Sequence, residues 1–267
     1  VGDDRHILAV QLIDDIRAAT GLEWDIATGD RWPGFITLTT FDDPHAHPSG
    51  AYTLDVTPDG VTVAGVDFEG VRNGVQTLRQ LIRQCGAALP CLHIEDRPAF
   101  ETRGYYLDVT RGRVPTLDWL KHWADKLCLY KYNQLQLYIE HTFAFDSMSE
   151  TWRGSSPLTP RDILEFDDYC AERGIELVPS VSTFGHLYMA LRTQSLRDLG
   201  EFPETADEPF GFIDRMHHHT LNISDDHAFA LSCRLIDDYL QLFRSNKFNI
   251  CADETFDLGK GRSKPLA

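Results

Sequence analysis

The stretch TPRDILEFDDYCAERGIELVP, Thr159 to Pro179, contains one complete helix-to-strand unit. Thr159 is an N-cap type, Pro160 suits a first helical turn, and Asp162 can reach back to the cap. Apolar residues recur at helical spacing until Gly174, a stop signal. The pattern predicts a helix over Arg161–Arg173 and a strand over Glu176–Val181. A capped helix passing through one glycine into a strand is the repeat of a parallel sheet.

Working outward, the same rhythm recurs. Strand-like runs stand at Gly104–Asp108, Gln134–Ile139 and Lys247–Ala252, and helical patterns at Leu117–Tyr130 and Asp226–Arg244. Four strands alternating with helices, each followed by polar residues, fit the first half of a (β/α)8 TIM barrel. An open doubly wound sheet is the alternative. The first strand is not followed by a Gly-rich phosphate fingerprint, which argues against a nucleotide-binding version. Upstream lie a helical pattern over 5–20, β-like runs at Phe35–Thr40, Ala51–Val56 and Val61–Ala64, and a second helix over 71–84. The last two runs are joined by the turn signal Thr57-Pro58-Asp59-Gly60. Pro90–Pro98 reads as a linker. The expected fold is α/β: a small α+β domain over 1–97, then over 98–267 a TIM barrel of which only the first four strands are present.

A formal net charge of −16 disfavours nucleic acid and anionic membrane surfaces as partners. An uncharged, hydroxyl-rich substrate is compatible with it. No apolar run approaches the roughly 18 residues of a membrane span, and Val1–Val10 does not resemble a signal peptide. Six irregularly spaced cysteines read as reduced thiols, so a cytoplasmic location is expected. The segment lacks an initiator Met and is expected to be trimmed, processed or cut from a longer chain.

In CADETFDLGKGRSK, Cys251 to Lys264, two acids are adjacent. Neighbours on a regular strand face opposite ways, so Asp253 and Glu254 can address one substrate only where a strand has ended. The C-terminal rim of a parallel barrel is such a place. Glycosidases that use two flanking carboxyl groups need them about 5 Å or more apart across the bond. Adjacent acids suit a division of labour instead, one giving a proton to the leaving oxygen while the other steadies a group on the substrate. A solvated loop pair or a helix N-terminal pair is the plainer alternative.

Other runs point the same way. Arg103-Gly104-Tyr105-Tyr106-Leu107-Asp108-Val109-Thr110-Arg111 resembles the first barrel strand of the family 20 glycoside hydrolases, the β-N-acetylhexosaminidases. Tyr130-Lys131-Tyr132-Asn133 is similar to the run before their second strand. Gly174 to Pro179, ending in Gly185-His186, resembles their third strand, and Asp253-Glu254 falls where their catalytic pair ends the fourth. Residues 1–95 are similar to the small domain that precedes their barrel, best at Ala51–Gly60 and Gly74–Leu81. The resemblance implies retaining, substrate-assisted hydrolysis of terminal β-linked N-acetylglucosamine or N-acetylgalactosamine. It makes Glu254 the general acid and base and Asp253 the group that orients the acetamido nitrogen. It places Arg103 on sugar hydroxyls and His186 behind the acids. The plainer alternative for Arg103 is a structural salt bridge. Asp108 and Arg111 read as structural partners at the rim. No cofactor and no metal are implied.

The chain departs from the family pattern at two strands. Where a His-x-His and an acid are usual, it has Gln136-Leu137-Tyr138-Ile139-Glu140-His141. Pro179-Ser180-Val181-Ser182 lacks the acid expected to partner His186. Glu140 and His141 are assigned to the substrate-binding rim in their place. The later strands, which supply the remaining pocket walls, are absent from this sequence, so the segment alone is expected to be inactive. Two rivals stand beside this reading. One is a non-catalytic carbohydrate-binding protein on a decayed scaffold. The other is a metal-dependent hydrolase built from Asp253, Glu254, His186 and the run His217-His218-His219, although no ligand spacing supports it.

Overall fold

The computed structural model describes residues 5–29, 34–43 and 47–267. The chain divides into two compact units, Val1–Arg103 with Asp125–Asn133, and Gly104–Ala124 with Gln134–Ala267.

The first unit contains α1 (Arg5–Thr20), β1 (Phe35–Thr40), β2 (Tyr52–Thr57), β3 (Gly60–Gly65), α2 (Phe68–Cys85) and β4 (Leu92–Asp96). The sheet order is β1-β3-β2-β4, with β1 parallel to β3 and β2 antiparallel to both of its neighbours. The Thr57–Gly60 turn joins β2 and β3 as the sequence predicts. β4 corrects the linker reading of 90–98. Its Leu92 and Ile94 alternate with His93 and Glu95, and the strand pairs with β2 between the two flanking prolines. Tyr52, Leu54 and Val56 form one buried face of β2 and pack with Leu8, Leu12 and Ile16 of α1 and Val71, Val75, Leu78 and Ile82 of α2. Asp15 is nearly buried between these helices and accepts from Arg79 at 2.6 Å and Arg83 at 2.7 Å, so its charge is compensated.

The second unit carries a parallel sheet in chain order: β5 (Gly104–Asp108), β6 (Gln134–Tyr138) and β7 (Glu176–Val178). Its helices are α3 (Leu117–Leu129), α4 (Ser149–Trp152), α5 (Pro160–Glu172), α6 (Tyr188–Leu191) and α7 (Asp226–Leu240), the division between units cutting α3 after Ala124. The capping box of α5 forms as read: Thr159 accepts from the Asp162 N–H and the Asp162 carboxylate from the Thr159 N–H. Alternation sets the two faces of the sheet. Leu135, Leu137 and Ile139 are buried apolar residues, while Gln136, Tyr138 and Glu140 occupy the other face by period two.

The fourth stave differs from expectation. Lys247–Ala252 forms no strand; it meets the third stave through one parallel bridge, Ser180↔Asn249. The Asn249 N–H donates to Pro179 O at 2.9 Å, and Val181 and Thr183 donate back to Asn249 and Ile250. Two residues later Cys251 adopts φ 45°, and the extended run ends there.

Candidate active site

The acid pair sits where this fourth run turns away. Glu254 also has a left-handed backbone, φ 52°, and so does His186, φ 57°. Such geometry costs roughly 1–3 kcal/mol at a non-glycine residue and clusters at functional sites. Surrounding bonds hold it in place. The Cys251 N–H donates to Asn249 Oδ1, and its thiol lies 3.2 Å from both Tyr106 Oη and Ser180 Oγ. Asp253 and Glu254 are both exposed, at the C-terminal side of the parallel staves.

His186 is buried beneath them. Its Nε2 lies 3.2 Å from Glu254 Oε2, and its Nδ1 lies 3.8 Å from Glu140 Oε1. The preceding glycine makes this approach possible, because a Cβ on Gly185 would stand 2.7 Å from the Asp253 carbonyl oxygen. Gly185→Ala must therefore push the acid turn away. In a chain that includes the remaining barrel we expect any kcat to fall about 100-fold, the scale of an ångström-sized misplacement. An unchanged kcat would show that the close approach does not set the site.

Glu140 is itself buried and accepts from Tyr138 Oη at 2.9 Å, and its own N–H donates to Thr110 Oγ1 at 3.0 Å. Burial alone pushes this carboxyl up. The His141 ring, the Tyr138 hydroxyl and the His186 ring outweigh burial, and the group sits below the ordinary glutamate value. The His141 contact, Nδ1 to Glu140 Oε2, is 3.7 Å. That is electrostatic attraction rather than a hydrogen bond, and His141 Nδ1 has no hydrogen-bond partner among the described residues. The departure of the third strand from the family pattern thus finds its counterpart in the second. The carboxylate facing His186 comes from Glu140, at the end of β6.

Arg103, which the resemblance places on sugar hydroxyls, makes its described contacts with its own neighbours. Its guanidinium is committed within the first unit: Nε donates to Lys131 O, Nη1 to Phe100 O and Glu101 O, and Nη2 to Glu69 Oε1 at 2.7 Å. The ion pair with Glu69 is the structural alternative for this residue. Asp108 and Arg111 act as read, the carboxylate accepting the Thr110 and Arg111 N–H groups and the Arg111 guanidinium.

The three consecutive histidines do not converge. His218 stacks on Phe210 with ring centroids 3.7 Å apart, His217 lies against Phe256, and His219 Nε2 meets the Glu254 carbonyl at 2.8 Å. Donor atoms of His186, Asp253 and Glu254 come within 4.8 Å of one another. Two of these three are exposed acids, and the His186–Glu254 pair is already at hydrogen-bonding distance. This arrangement suits support of a proton-transferring carboxyl. The sequence groups His219 with Asp253, Glu254 and His186 only in the metal reading; its contact with the Glu254 main chain, and the part played by Tyr106 and Ser180, were not anticipated. None of the six cysteines is in a disulfide, and among the described residues no helix is long and apolar enough to cross a membrane.

Acids gathered at the C-terminal ends of parallel staves occupy the position where α/β barrels carry their active sites. The profile "Glycosyl hydrolase family 20, catalytic domain" matches residues 100–263, and "Glycosyl hydrolase family 20, domain 2" matches residues 4–97. The chain belongs to glycosyl hydrolase family 20, whose catalytic domain is a TIM barrel. A β-hexosaminidase of Akkermansia muciniphila is 31% identical over 157 residues, covering 51% of this chain and 32% of that protein. The family 20 β-N-acetylhexosaminidase of Streptomyces coelicolor superposes with a TM-score of 0.70 at 27% identity, covering 90% of this chain and 51% of the other. A mutant β-hexosaminidase of Streptomyces plicatus in complex with its product GlcNAc gives 0.72 at 26% identity, covering 92% and 52%. The chain thus spans about a third of that curated relative and about half of these solved chains.

Proposed function

We propose that these residues belong to a retaining β-N-acetylhexosaminidase that removes terminal non-reducing N-acetylglucosamine or N-acetylgalactosamine by substrate assistance. The observation that carries this reading is the array of Glu140, His186 and Glu254 beside Asp253, in a chain of this family. In the first step the acetamido oxygen of the substrate attacks C1. Glu254 gives its proton to the glycosidic oxygen, and the C1–O bond breaks with its electron pair leaving on the aglycone. The acetamido nitrogen gains positive character, and its N–H donates to the Asp253 carboxylate. In the second step Glu254 takes a proton from water. The resulting oxygen attacks C1 from the face that the aglycone left, the bond between C1 and the acetamido oxygen breaks with its electron pair returning to the amide, and the configuration is retained. His186 donates to Glu254 and is steadied by Glu140.

Turnover belongs to a chain carrying the rest of a barrel. Among the described residues β5 has one sheet neighbour, and the backbone of the Asn249 run bridges to the third stave alone. The test is an assay of aryl N-acetyl-β-glucosaminide against aryl β-glucoside. A chain that includes the remaining barrel should cleave only the first, and residues 1–267 alone should cleave neither. Cleavage of both sugars at similar rates would contradict the acetamido role, and normal turnover by 1–267 would contradict the need for further staves.

A further inference from the structure

His219 lies in the long insert after β7, far in sequence from both acids, yet it contacts both left-handed turns of the site. Its carbonyl accepts the Leu187 N–H at 2.9 Å, next to His186. Its ring Nε2 meets the Glu254 carbonyl at 2.8 Å. The ring packs edge-to-face on His186 with centroids 4.8 Å apart. A carbonyl oxygen can only accept, so Nε2 must carry the proton. The main chain of His219 is fixed in turn. Asp257, three residues beyond Glu254 and almost fully buried, accepts the His219 N–H at 3.2 Å, the Thr220 N–H at 3.0 Å and the Thr220 hydroxyl. Together these contacts close a ring: Glu254 to His186 through side chains, His186 to His219 through Leu187, and His219 back to Glu254.

We propose that His219 is a positioning residue whose Nε2–H holds the Glu254 main chain so that its carboxyl stays in register with His186, with Asp257 fixing the backbone of His219. Burial lowers the basicity of the ring. The kinetic arm rests on the proposed hexosaminidase reading; the placement of the proton does not.

The test uses the full-length protein carrying these residues. His219→Gln places an amide N–H near the position of Nε2, whereas His219→Asn falls short of it and His219→Phe keeps a ring without the donor. On an N-acetyl-β-glucosaminide, the Asn and Phe variants should lose on the order of 10- to 100-fold in kcat with KM little changed. The Gln variant should recover most of that loss. Unchanged kcat in the Phe variant, or a Gln variant no better than Phe, overturns the proposal. Long-range 1H–15N NMR of the wild-type imidazole near neutral pH gives a readout free of activity and of variant folding. An Nε2–H tautomer is expected, and an Nδ1–H tautomer overturns the proposal. If the wild type cleaves no N-acetylhexosaminide, the hexosaminidase reading fails and the NMR result alone decides the role of His219.

Discussion

Glu254→Gln should lower kcat by about 100- to 10,000-fold on a substrate whose leaving group is a second sugar, with KM close to that of the wild type. The amide matches the carboxyl in shape and can still face His186 Nε2, which lies 3.2 Å from Glu254 Oε2. It has no proton to give to the glycosidic oxygen and cannot take one from water. A sugar alkoxide is a poor leaving group without protonation, so the loss is largest there. An activated phenolate leaves without help, so the first step is then spared and the loss shrinks to that of the second. Measured kcat over a series of leaving groups should therefore steepen in its dependence on leaving-group basicity. A non-catalytic sugar-binding protein would show no turnover to lose and unchanged binding, and an enzyme whose kcat is untouched by this change would have its acid elsewhere.

Asp253→Asn should cost about 100- to 1,000-fold in kcat, the scale for removing one group aimed at charge that develops in the transition state. The side chain keeps its shape, but the negative charge facing the developing positive nitrogen is gone. Unlike the Glu254 effect, this loss should be nearly the same for every leaving group, because Asp253 acts on the nucleophile rather than on the departing oxygen. Equal leaving-group dependence in the two variants would mean that the adjacent acids do not divide the work as argued. Their exposure and their position at a turn, where Glu254 takes φ 52°, are what allow neighbours to face one ligand.

Much of this was legible from short-range chemistry. The Thr159–Gly174 segment announces its helix because cap, first-turn proline and stop are all local. The Thr57–Gly60 turn joins its strands for the same reason. β4 was hidden because two prolines and only five residues outweighed a visible alternation of Leu92 and Ile94 with polar neighbours. The fourth stave was overread: Asn249–Ala252 has strand composition, but the left-handed Cys251 cuts it to one bridge. Glu140 could have been placed more firmly from the period-two row Gln136, Tyr138, Glu140, which puts the acid on the face bearing Tyr138. For His219 the sequence offers only membership in a run of three histidines, not a contact with the acid turn. Its role depends on an insert without periodicity folding back over the acid turn, so that residues 35 apart in sequence form one hydrogen bond. The Arg103–Glu69 ion pair was hidden for a related reason: Glu69 lies 34 residues upstream, at the start of α2, and no local pattern marks the pair.

In the proposed reaction the nucleophile belongs to the sugar, with Asp253 and Glu254 serving it from one side. The most direct measurement is kcat/KM of the full-length protein on aryl β-glucosaminides whose N-acyl group carries zero, one, two or three fluorines. Each fluorine weakens the carbonyl oxygen as a nucleophile while barely changing the size of the group, so the rate should fall steeply at every step. A flat series would place the nucleophile on the protein or on water and would contradict the account.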